Sequence, residues 1–314
     1  MLLKNKYKNF FLIAGFVLLW NTGFIGAEYG LPYAGIFSLL FYRYLVLTVI
    51  LFIFLNITKS FYWPGWRSVR NQMLIGVLAH GIWLACVLNA IEYGVPAGIV
   101  ALVAALQPLA TGALSGPLVG EPTRWNRWLG LLIGFSGVAL PIISRINFHD
   151  LSEIAAWLSP LGSVAAITIA NLFQRKISLR KDSHAMQGGL SLFYQSLATT
   201  LAVVLPAVIG EGLSVNWNPT FTRVLIWLIF GVSLGAYSLM WILIDRFSAT
   251  KVASLFYLGP PVTMLMAWAT LGDKPKIIDL TGIVLVFTGV FITYLKFPVS
   301  SNYMKRQKKT AFLP

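Results

Sequence analysis

Long apolar runs recur along the whole chain and are separated by short polar or Gly/Pro-rich turns. A helix needs about 20 apolar residues to cross the hydrocarbon core of a bilayer. Runs of that length predict ten membrane-spanning helices, at about residues 9–28, 33–55, 73–92, 96–118, 126–144, 153–173, 186–209, 223–244, 251–271 and 278–296. Little sequence remains between them, so the pattern predicts an all-α integral membrane protein without a soluble domain.

The composition agrees with a membrane protein and excludes several enzyme classes. Of 314 residues, 57% are apolar and 11% are charged, whereas about 25% of residues in a soluble domain are charged. The single cysteine, Cys86, excludes an intramolecular disulfide, and the three histidines show no metal-ligand spacing. No nucleotide-binding or hydrolase motif occurs, so we expect no catalytic residue, no metal and no cofactor.

The distribution of basic residues predicts how the chain crosses the membrane. With a cytoplasmic N-terminus, 19 of the 24 Lys and Arg residues lie in cytoplasmic segments and Arg43 lies within a span. The four external basic residues are Arg145, Arg223, Lys274 and Lys276. This positive-inside bias predicts that both termini are cytoplasmic. We interpret the basic tail, 299–314, as a topogenic segment that faces anionic lipid, and we expect no nucleic-acid partner.

An internal repeat is visible at a single offset of 152 residues. The pairs at this offset are Phe41–Tyr42 with Phe193–Tyr194, Pro108 with Pro260, Gly120–Glu121 with Gly272–Asp273, and Gly130 and Gly137 with Gly282 and Gly289. Five helices per half is an odd number, so the second half enters the membrane from the opposite side. We therefore expect two inverted five-helix repeats, at 1–148 and 149–298. Inverted repeats are typical of secondary transporters, whose substrate site lies near the midplane between the repeats.

The chain resembles EamA-type, two-domain transporters of the drug/metabolite transporter superfamily over about residues 9–296. The resemblance rests on the ten spans, the repeat, Phe41-Tyr42-Arg43 in span two, the segment from Gly94 to Pro108 and the following Gly120-Glu121. It implies a multi-pass transporter of the bacterial inner membrane and no enzyme. Members of this kind mostly export amino acids and related metabolites, and some are similar to aromatic amino acid exporters.

Arg43 is the most conspicuous candidate for a functional residue. It lies about 10 residues into the second predicted span, or about 15 Å at 1.5 Å per residue, near the middle of the bilayer. A guanidinium at that depth costs at least about 2.5 kcal/mol, so it should face a cavity or a partner. It either binds a substrate carboxylate through two parallel hydrogen bonds, or it snorkels or ties helix ends together through backbone carbonyls. Its repeat equivalent, Gln195, either contacts substrate or bonds a neighbouring helix.

Other polar and aromatic side chains within the spans are candidates for the substrate site. They are Trp20, Asn21, Tyr42, His80, Trp83, Gln107, Asn171, Tyr237, Trp241, Ser254 and Tyr257. His80 and Trp83 are three residues apart and should share a helix face, and His80 is either a proton relay or a structural residue. The candidate gating residues, or plain kinks, are Pro108, Pro260 and Pro261.

The sequence therefore predicts a secondary, alternating-access transporter that exports small zwitterionic metabolites, most readily amino acids. One arginine with amides and aromatics, and no mid-span carboxylate, favours a zwitterionic or weakly anionic substrate. The alternatives are transport of another metabolite or drug in either direction, a multi-spanning membrane enzyme, or a scaffold. The expected partners are the substrate and the lipid bilayer, and the chain acts as a monomer or a homodimer. Spans five and ten would buttress the halves or support dimer contacts.

Overall fold

A computed structural model describes residues 2–119, 125–146, 150–178, 186, 188–247, 252 and 255–295. The helices of the first half are α1 (Leu2–Gly30), α2 (Ile36–Ile57), α3 (Trp66–Gly76), α4 (Trp83–Glu92), α5 (Ala97–Ala104), α6 (Gln107–Val119) and α7 (Trp125–Ile143). Those of the second half are α8 (Leu151–Ser178), α9 (Gly188–Leu205), α10 (Pro219–Ile226), α11 (Tyr237–Arg246), α12 (Gly259–Leu271) and α13 (Ile277–Tyr294). Three π-helical segments, Val77–Ile82, Pro206–Gly210 and Trp227–Ala236, join α3 to α4, extend α9 and join α10 to α11. The described residues thus form an all-helical fold.

Eight helical stretches in the described residues are long and apolar enough to cross a membrane. They are Asn9–Tyr33, Ile36–Ile57, Trp66–Glu92, Ala97–Leu118, Trp125–Ile143, Leu151–Ile177, Gly188–Gly210 and Pro219–Met240. The last two predicted spans correspond to shorter helices, since α12 has 13 residues and the apolar part of α13 is Ile277–Thr293. Part of the ninth predicted span lies outside the described residues. The count of ten, like the orientation of the termini, therefore remains a prediction.

Apolar side chains fill the interior and also cover the outer surface. Leu40, Leu47 and Leu102 are fully buried in a core that both halves share. In contrast, Leu132 on α7 and Phe291 on α13 are mostly exposed. Soluble monomers rarely expose large apolar patches, whereas a bilayer solvates them.

The predicted spans four and nine are interrupted at equivalent positions. α6 begins at Gln107 with Pro108 next to it, and α12 begins at Gly259 followed by Pro260 and Pro261. Proline lacks a backbone N–H and is tolerated in the first turn of a helix, where that N–H has no intrahelical partner. The two helix starts are separated by 152 residues, which is the offset of the sequence repeat.

Helices of the two halves pack against each other in pairs. α2 packs against α9, α5 against α12 and α7 against α13, while α1 packs against Trp227–Ala236 and α4 against α8. Exchanging the halves at the repeat offset maps α2 onto α9, α6 onto α12 and α7 onto α13. The same exchange maps the contact of α1 with Trp227–Ala236 onto the contact of α8 with Val77–Ile82 and α4. The packing therefore has the same internal symmetry as the sequence.

α7 and α13 approach closely because glycines face each other across their interface. Gly130 lies against Gly289, and Gly137 lies against Gly282. A Cβ atom at any of the four positions would meet the carbonyl oxygen of the glycine opposite, closer than real Cβ contacts allow. Small residues at such crossings let two helix backbones pack directly in a membrane.

Side chains fix both ends of the α7–α13 pair. At the end of α7, Arg145 pairs with Asp279, with 2.7 Å between Nη1 and Oδ1, and its Nη2 donates to Oδ2 at 2.8 Å. At the other end, Asn126 Nδ2 donates to three carbonyl oxygens at the end of α13, the nearest at 3.0 Å. The last carbonyls of a helix lack intrahelical donors, so Asn126 satisfies groups that would otherwise be unpaired.

The connection that follows α9 covers the start of α2. The Glu211 carboxylate accepts hydrogen bonds from the backbone N–H groups of Phe37, at 3.0 Å, and Ser38, at 2.7 Å. The N–H of Asn216 donates to the carbonyl oxygen of Tyr33 at 2.8 Å. A carboxylate at a helix N-terminus stabilises the helix by about 0.3–1 kcal/mol. These bonds hold the two connections together on the side of the molecule where α1 ends.

Candidate functional site

A cavity of about 1050 Å³ lies between the two halves. Its lining includes Arg127 at the start of α7, Arg175 at the end of α8, Gly188 at the start of α9 and Thr293 near the end of α13. Because successive spans run in opposite directions, all these helix ends lie on the side where α1 begins. The cavity therefore reaches that face of the molecule.

Most of the residues predicted for the site line this cavity. They are Trp20, His80, Trp83, Gln107, Asn171, Gln195, Tyr237 and Tyr257, together with Pro108. Among the described residues of the lining there is no Asp or Glu, whereas Arg127 and Arg175 contribute positive charge. The cavity thus combines aromatic walls and neutral hydrogen-bonding groups with basic residues near the open end.

Four polar side chains form one chain of hydrogen bonds in the cavity wall, which we call the polar chain. Gln195 Nε2 donates to Gln72 Oε1 at 2.8 Å, and Gln195 Oε1 lies 3.1 Å from His80 Nε2. The Tyr237 hydroxyl lies 3.3 Å from His80 Nδ1. This pairing assigns the ring proton to Nε2 and leaves Nδ1 to accept from Tyr237. The amide nitrogen of Gln72, which bonds no other described residue, is left to donate to a ligand.

The polar chain depends on a close contact between the third and seventh spans. A Cβ atom on Gly76 would collide with the backbone of Gln195, so glycine allows α3 to lie directly against α9. The Thr199 hydroxyl also donates to the carbonyl oxygen of Gly76, at 3.1 Å. His80 follows in the π-helical segment Val77–Ile82, a geometry that is frequent at functional sites. These contacts bring His80 to Gln195 across 115 residues of sequence.

Aromatic rings close the inner end of the cavity. The ring centroid of Trp20 lies 6.3 Å from that of Trp83, 5.3 Å from Tyr237 and 5.0 Å from Phe256. Beyond these rings is a second pocket, of about 40 Å³, lined in part by Arg43. Trp20, Trp83 and Tyr237 line both spaces, so they form the aromatic layer that separates them.

Arg43 lies behind the aromatic layer, away from the large cavity. Its Nε and Nη2 donate to the Ser233 hydroxyl at 3.1 and 3.0 Å, and its Cζ lies 5.5 Å from the centre of the Tyr44 ring. The second pocket, of about 40 Å³, is small beside the large cavity of about 1050 Å³. In this conformation Arg43 therefore ties α2 to the second half, through a hydroxyl group instead of backbone carbonyls.

Asn21 and Tyr42 do not line the large cavity. Asn21 is buried between α1 and α12, where its Oδ1 accepts from the Thr263 hydroxyl at 3.0 Å. The Tyr42 ring packs against Trp217, with 5.2 Å between centroids. Asn21 follows Trp20, which lines the large cavity, and Tyr42 precedes Arg43, which lines the small pocket. Adjacent residues on a helix point in different directions, so Asn21 and Tyr42 do not share the orientation of these neighbours.

The remaining predictions have mixed outcomes. Pro260 and Pro261 begin α12 outside the cavity lining, whereas Ser254 and the side chain of Trp241 lie outside the described residues. The sequence did not single out Gln72, which precedes the predicted third span. In the described part of the chain, no three His, Cys, Asp or Glu residues are grouped to hold a metal ion.

Comparisons with known proteins agree with this architecture. The model of the EamA-like transporter family matches residues 8–143 and 155–295. The chain is 24% identical over 301 residues to a "Probable amino-acid metabolite efflux pump" of Salmonella typhimurium, covering 93% of this chain and 96% of that protein. It is 26% identical over 286 residues to a "Probable terminal-alkyne amino-acid exporter" of Streptantibioticus cattleyicolor, covering 88% and 90%.

A solved crystal structure shares the fold, with a TM-score of 0.63 and 17% sequence identity over 90% of this chain and 95% of the other. The two matches to the family model cover most of the sequence, and they include the helices that line the cavity. The eight membrane-crossing helices agree with a multi-pass integral membrane protein. The chain therefore belongs to the EamA-like transporter family of the drug/metabolite transporter superfamily, as the resemblance of its sequence indicated.

Proposed function

We propose that the protein is an alternating-access secondary transporter that exports small zwitterionic metabolites, most readily amino acids, across the bacterial inner membrane. The large cavity carries this proposal. Its volume of about 1050 Å³ is slightly above the about 300–1000 Å³ of small-molecule sites. A cationic ligand would find no carboxylate among the described lining residues, whereas a carboxylate finds several donors. The relatives named as amino-acid efflux pumps and exporters support the same substrate class.

The substrate binds against the polar chain in this proposal. The amide nitrogens of Gln72 and Gln107 donate to the substrate carboxylate, and the ring faces of Trp20 and Trp83 attract its ammonium group. Asn171 and Tyr257 complete the wall around the side chain of the substrate. The substrate then lies on the open side of the aromatic layer.

Access alternates by movement of the two repeats, 1–148 and 149–298, about a pseudo-twofold axis in the membrane plane. The symmetric packing pairs and the equivalent helix starts beside Pro108 and Pro260 support this arrangement. With both termini cytoplasmic, as the basic residues predict, the cavity opens to the cytoplasm, the side from which an exporter loads. The aromatic layer and the bonds of Glu211 close the opposite side.

Uptake into proteoliposomes tests the proposed function. The purified protein is assayed with radiolabelled L-leucine, L-phenylalanine, L-threonine, putrescine and glucose 6-phosphate. We expect saturable uptake of at least one of the three amino acids, because the cavity offers donors for a carboxylate. Uptake of putrescine or glucose 6-phosphate in the absence of any amino acid uptake would contradict the proposal.

A substitution at Gln195 tests whether this uptake depends on the cavity. Gln195→Met keeps the length of the side chain and removes both hydrogen-bonding groups, leaving Gln72 and His80 without their partner. Each lost buried bond costs about 1 kcal/mol or more, so we expect uptake of the transported amino acid to fall at least about tenfold. The control is Asn56→Leu, at the exposed end of α2, where Asn56 bonds its own helix. Unchanged uptake by a folded Gln195→Met variant would show that the polar chain does not contribute to the substrate site.

A further inference from the structure

Arg127, near the open end of the cavity, has no acidic partner in the described part of the chain. It is the third residue of α7, it lines the cavity and it is half-buried. Its Nη1 donates to the carbonyl oxygen of Gly112 and to the Ser115 hydroxyl, both at 3.2 Å. These acceptors on α6 are neutral, so they hold the guanidinium against the wall without compensating its charge.

The internal repeat explains why Arg127 has no equivalent of the ion pair between Arg145 and Asp279. The repeat equivalent of Arg127 is Asp279, which pairs with Arg145 at the opposite end of α7 and α13. The equivalent of Arg145 is Phe297, which has no charge. A symmetric ion pair at the Arg127 end would need an acidic residue at position 297. The repeat therefore supplies no counterpart there to the ion pair of Arg145 with Asp279.

The donors that remain on Arg127 suit a carboxylate. A guanidinium carries five N–H donors in a rigid plane and binds carboxylates through two parallel hydrogen bonds. Among the described residues, neither Nε nor Nη2 of Arg127 has an acceptor. Arg175 lines the same cavity and adds positive charge, and no described lining residue is acidic.

We propose that Arg127 forms a carboxylate-binding subsite at the cavity mouth, where a substrate docks before it reaches the polar chain. This inference rests on the proposed function and deepens it, since it selects carboxylates and zwitterions at the entrance and disfavours cations. Arg43 is enclosed behind the aromatic layer, so the first cation that an entering carboxylate meets in the described cavity lies at its mouth.

Paired probes test this subsite in proteoliposomes. Uptake of L-leucine is compared with that of L-leucinamide, which keeps the amine and side chain but lacks the carboxylate. For Arg127→Gln we expect the ratio of kcat/KM for L-leucine to that for L-leucinamide to fall about tenfold. Arg127→Lys should recover part of the loss, because it keeps the charge without the planar fork. The control is Arg223→Gln, an exposed residue of α10 that bonds the carbonyl oxygen of Pro219.

The dependence on salt separates docking from a purely structural role. Wild-type uptake of L-leucine should fall as salt rises, because salt screens the attraction between exposed charges, and Arg127→Gln should flatten that dependence. An equal loss of both probes in Arg127→Gln, or wild-type uptake that ignores salt, would overturn the subsite while leaving amino acid transport in place. Failure of the wild type to transport any amino acid contradicts the proposed function itself.

Discussion

The buried guanidinium of Arg43 is stabilised by one hydroxyl group and one aromatic ring. Two of its nitrogens share the Ser233 oxygen, and the ring of Tyr44 lies beneath its Cζ. A charge in the membrane interior is costly unless its donors are satisfied, so Ser233 supports a residue that would otherwise destabilise the fold.

Replacing Ser233 should destabilise the protein through Arg43. Ser233→Ala removes the acceptor of both donors, and we expect a loss of about 1–3 kcal/mol, seen as a lower melting temperature in detergent. In an Arg43→Met background the same substitution should have little effect, because the donors are already gone. Ser136→Ala, on the exposed face of α7, is the control. Equal melting temperatures for wild type and Ser233→Ala would show that Ser233 does not support Arg43.

The depth of Arg43 follows from the sequence, whereas its partner does not. Counting residues from the start of an apolar run gives the depth of a side chain directly. Ser233 is separated from Arg43 by 190 residues and is one of several small polar residues within spans. The spans are apolar on all sides, so their hydrophobic pattern does not indicate which face meets which neighbour.

At the level of helices, the sequence predicts where proline interrupts a span, but it does not predict where a helix adopts π-helical geometry. Pro108 and Pro260 mark the starts of α6 and α12, because proline has a specific steric effect on the backbone. The π-helical segments, such as Val77–Ile82 with His80, have no equivalent sequence signal. The four glycines of α7 and α13 appear in the repeat, but their contact across the interface becomes visible in the structure.

The contact between glycines of α7 and α13 predicts that a Gly→Ala substitution there lowers the stability of the protein. Gly→Ala in a helix normally stabilises it by about 1 kcal/mol. At Gly289 we expect the opposite, a loss of about 1–3 kcal/mol, because the new Cβ would meet the Gly130 carbonyl. The melting temperature in detergent provides the measurement. Gly210→Ala is the matched control, since no atom lies near its Cβ position. Stabilisation by Gly289→Ala would contradict direct backbone contact of α7 with α13.

For the whole molecule, sequence reasoning identifies the membrane class and the repeat, and the structure adds the asymmetry between the two faces. The cavity reaches the side where α1 begins, whereas aromatic rings lie at its inner end and Glu211 bonds the start of α2 on the opposite side. Sequence symmetry treats both faces alike, so it does not tell which one is open. It also does not tell that Arg43 lines the small pocket whereas Gln72, His80 and Gln195 line the large cavity.

Site-directed thiol labelling tests most directly whether this cavity is the cytoplasmic entrance for amino acids. Cys86, the single cysteine, is replaced by serine, and Ser191, which lines the cavity, is replaced by cysteine. A membrane-impermeant maleimide is applied to right-side-out and inside-out vesicles. We predict labelling from the cytoplasmic face, slowed by whichever of L-leucine, L-phenylalanine and L-threonine the protein transports and unaffected by putrescine. Labelling from the external face alone, or protection by putrescine and by none of the amino acids, would contradict the account.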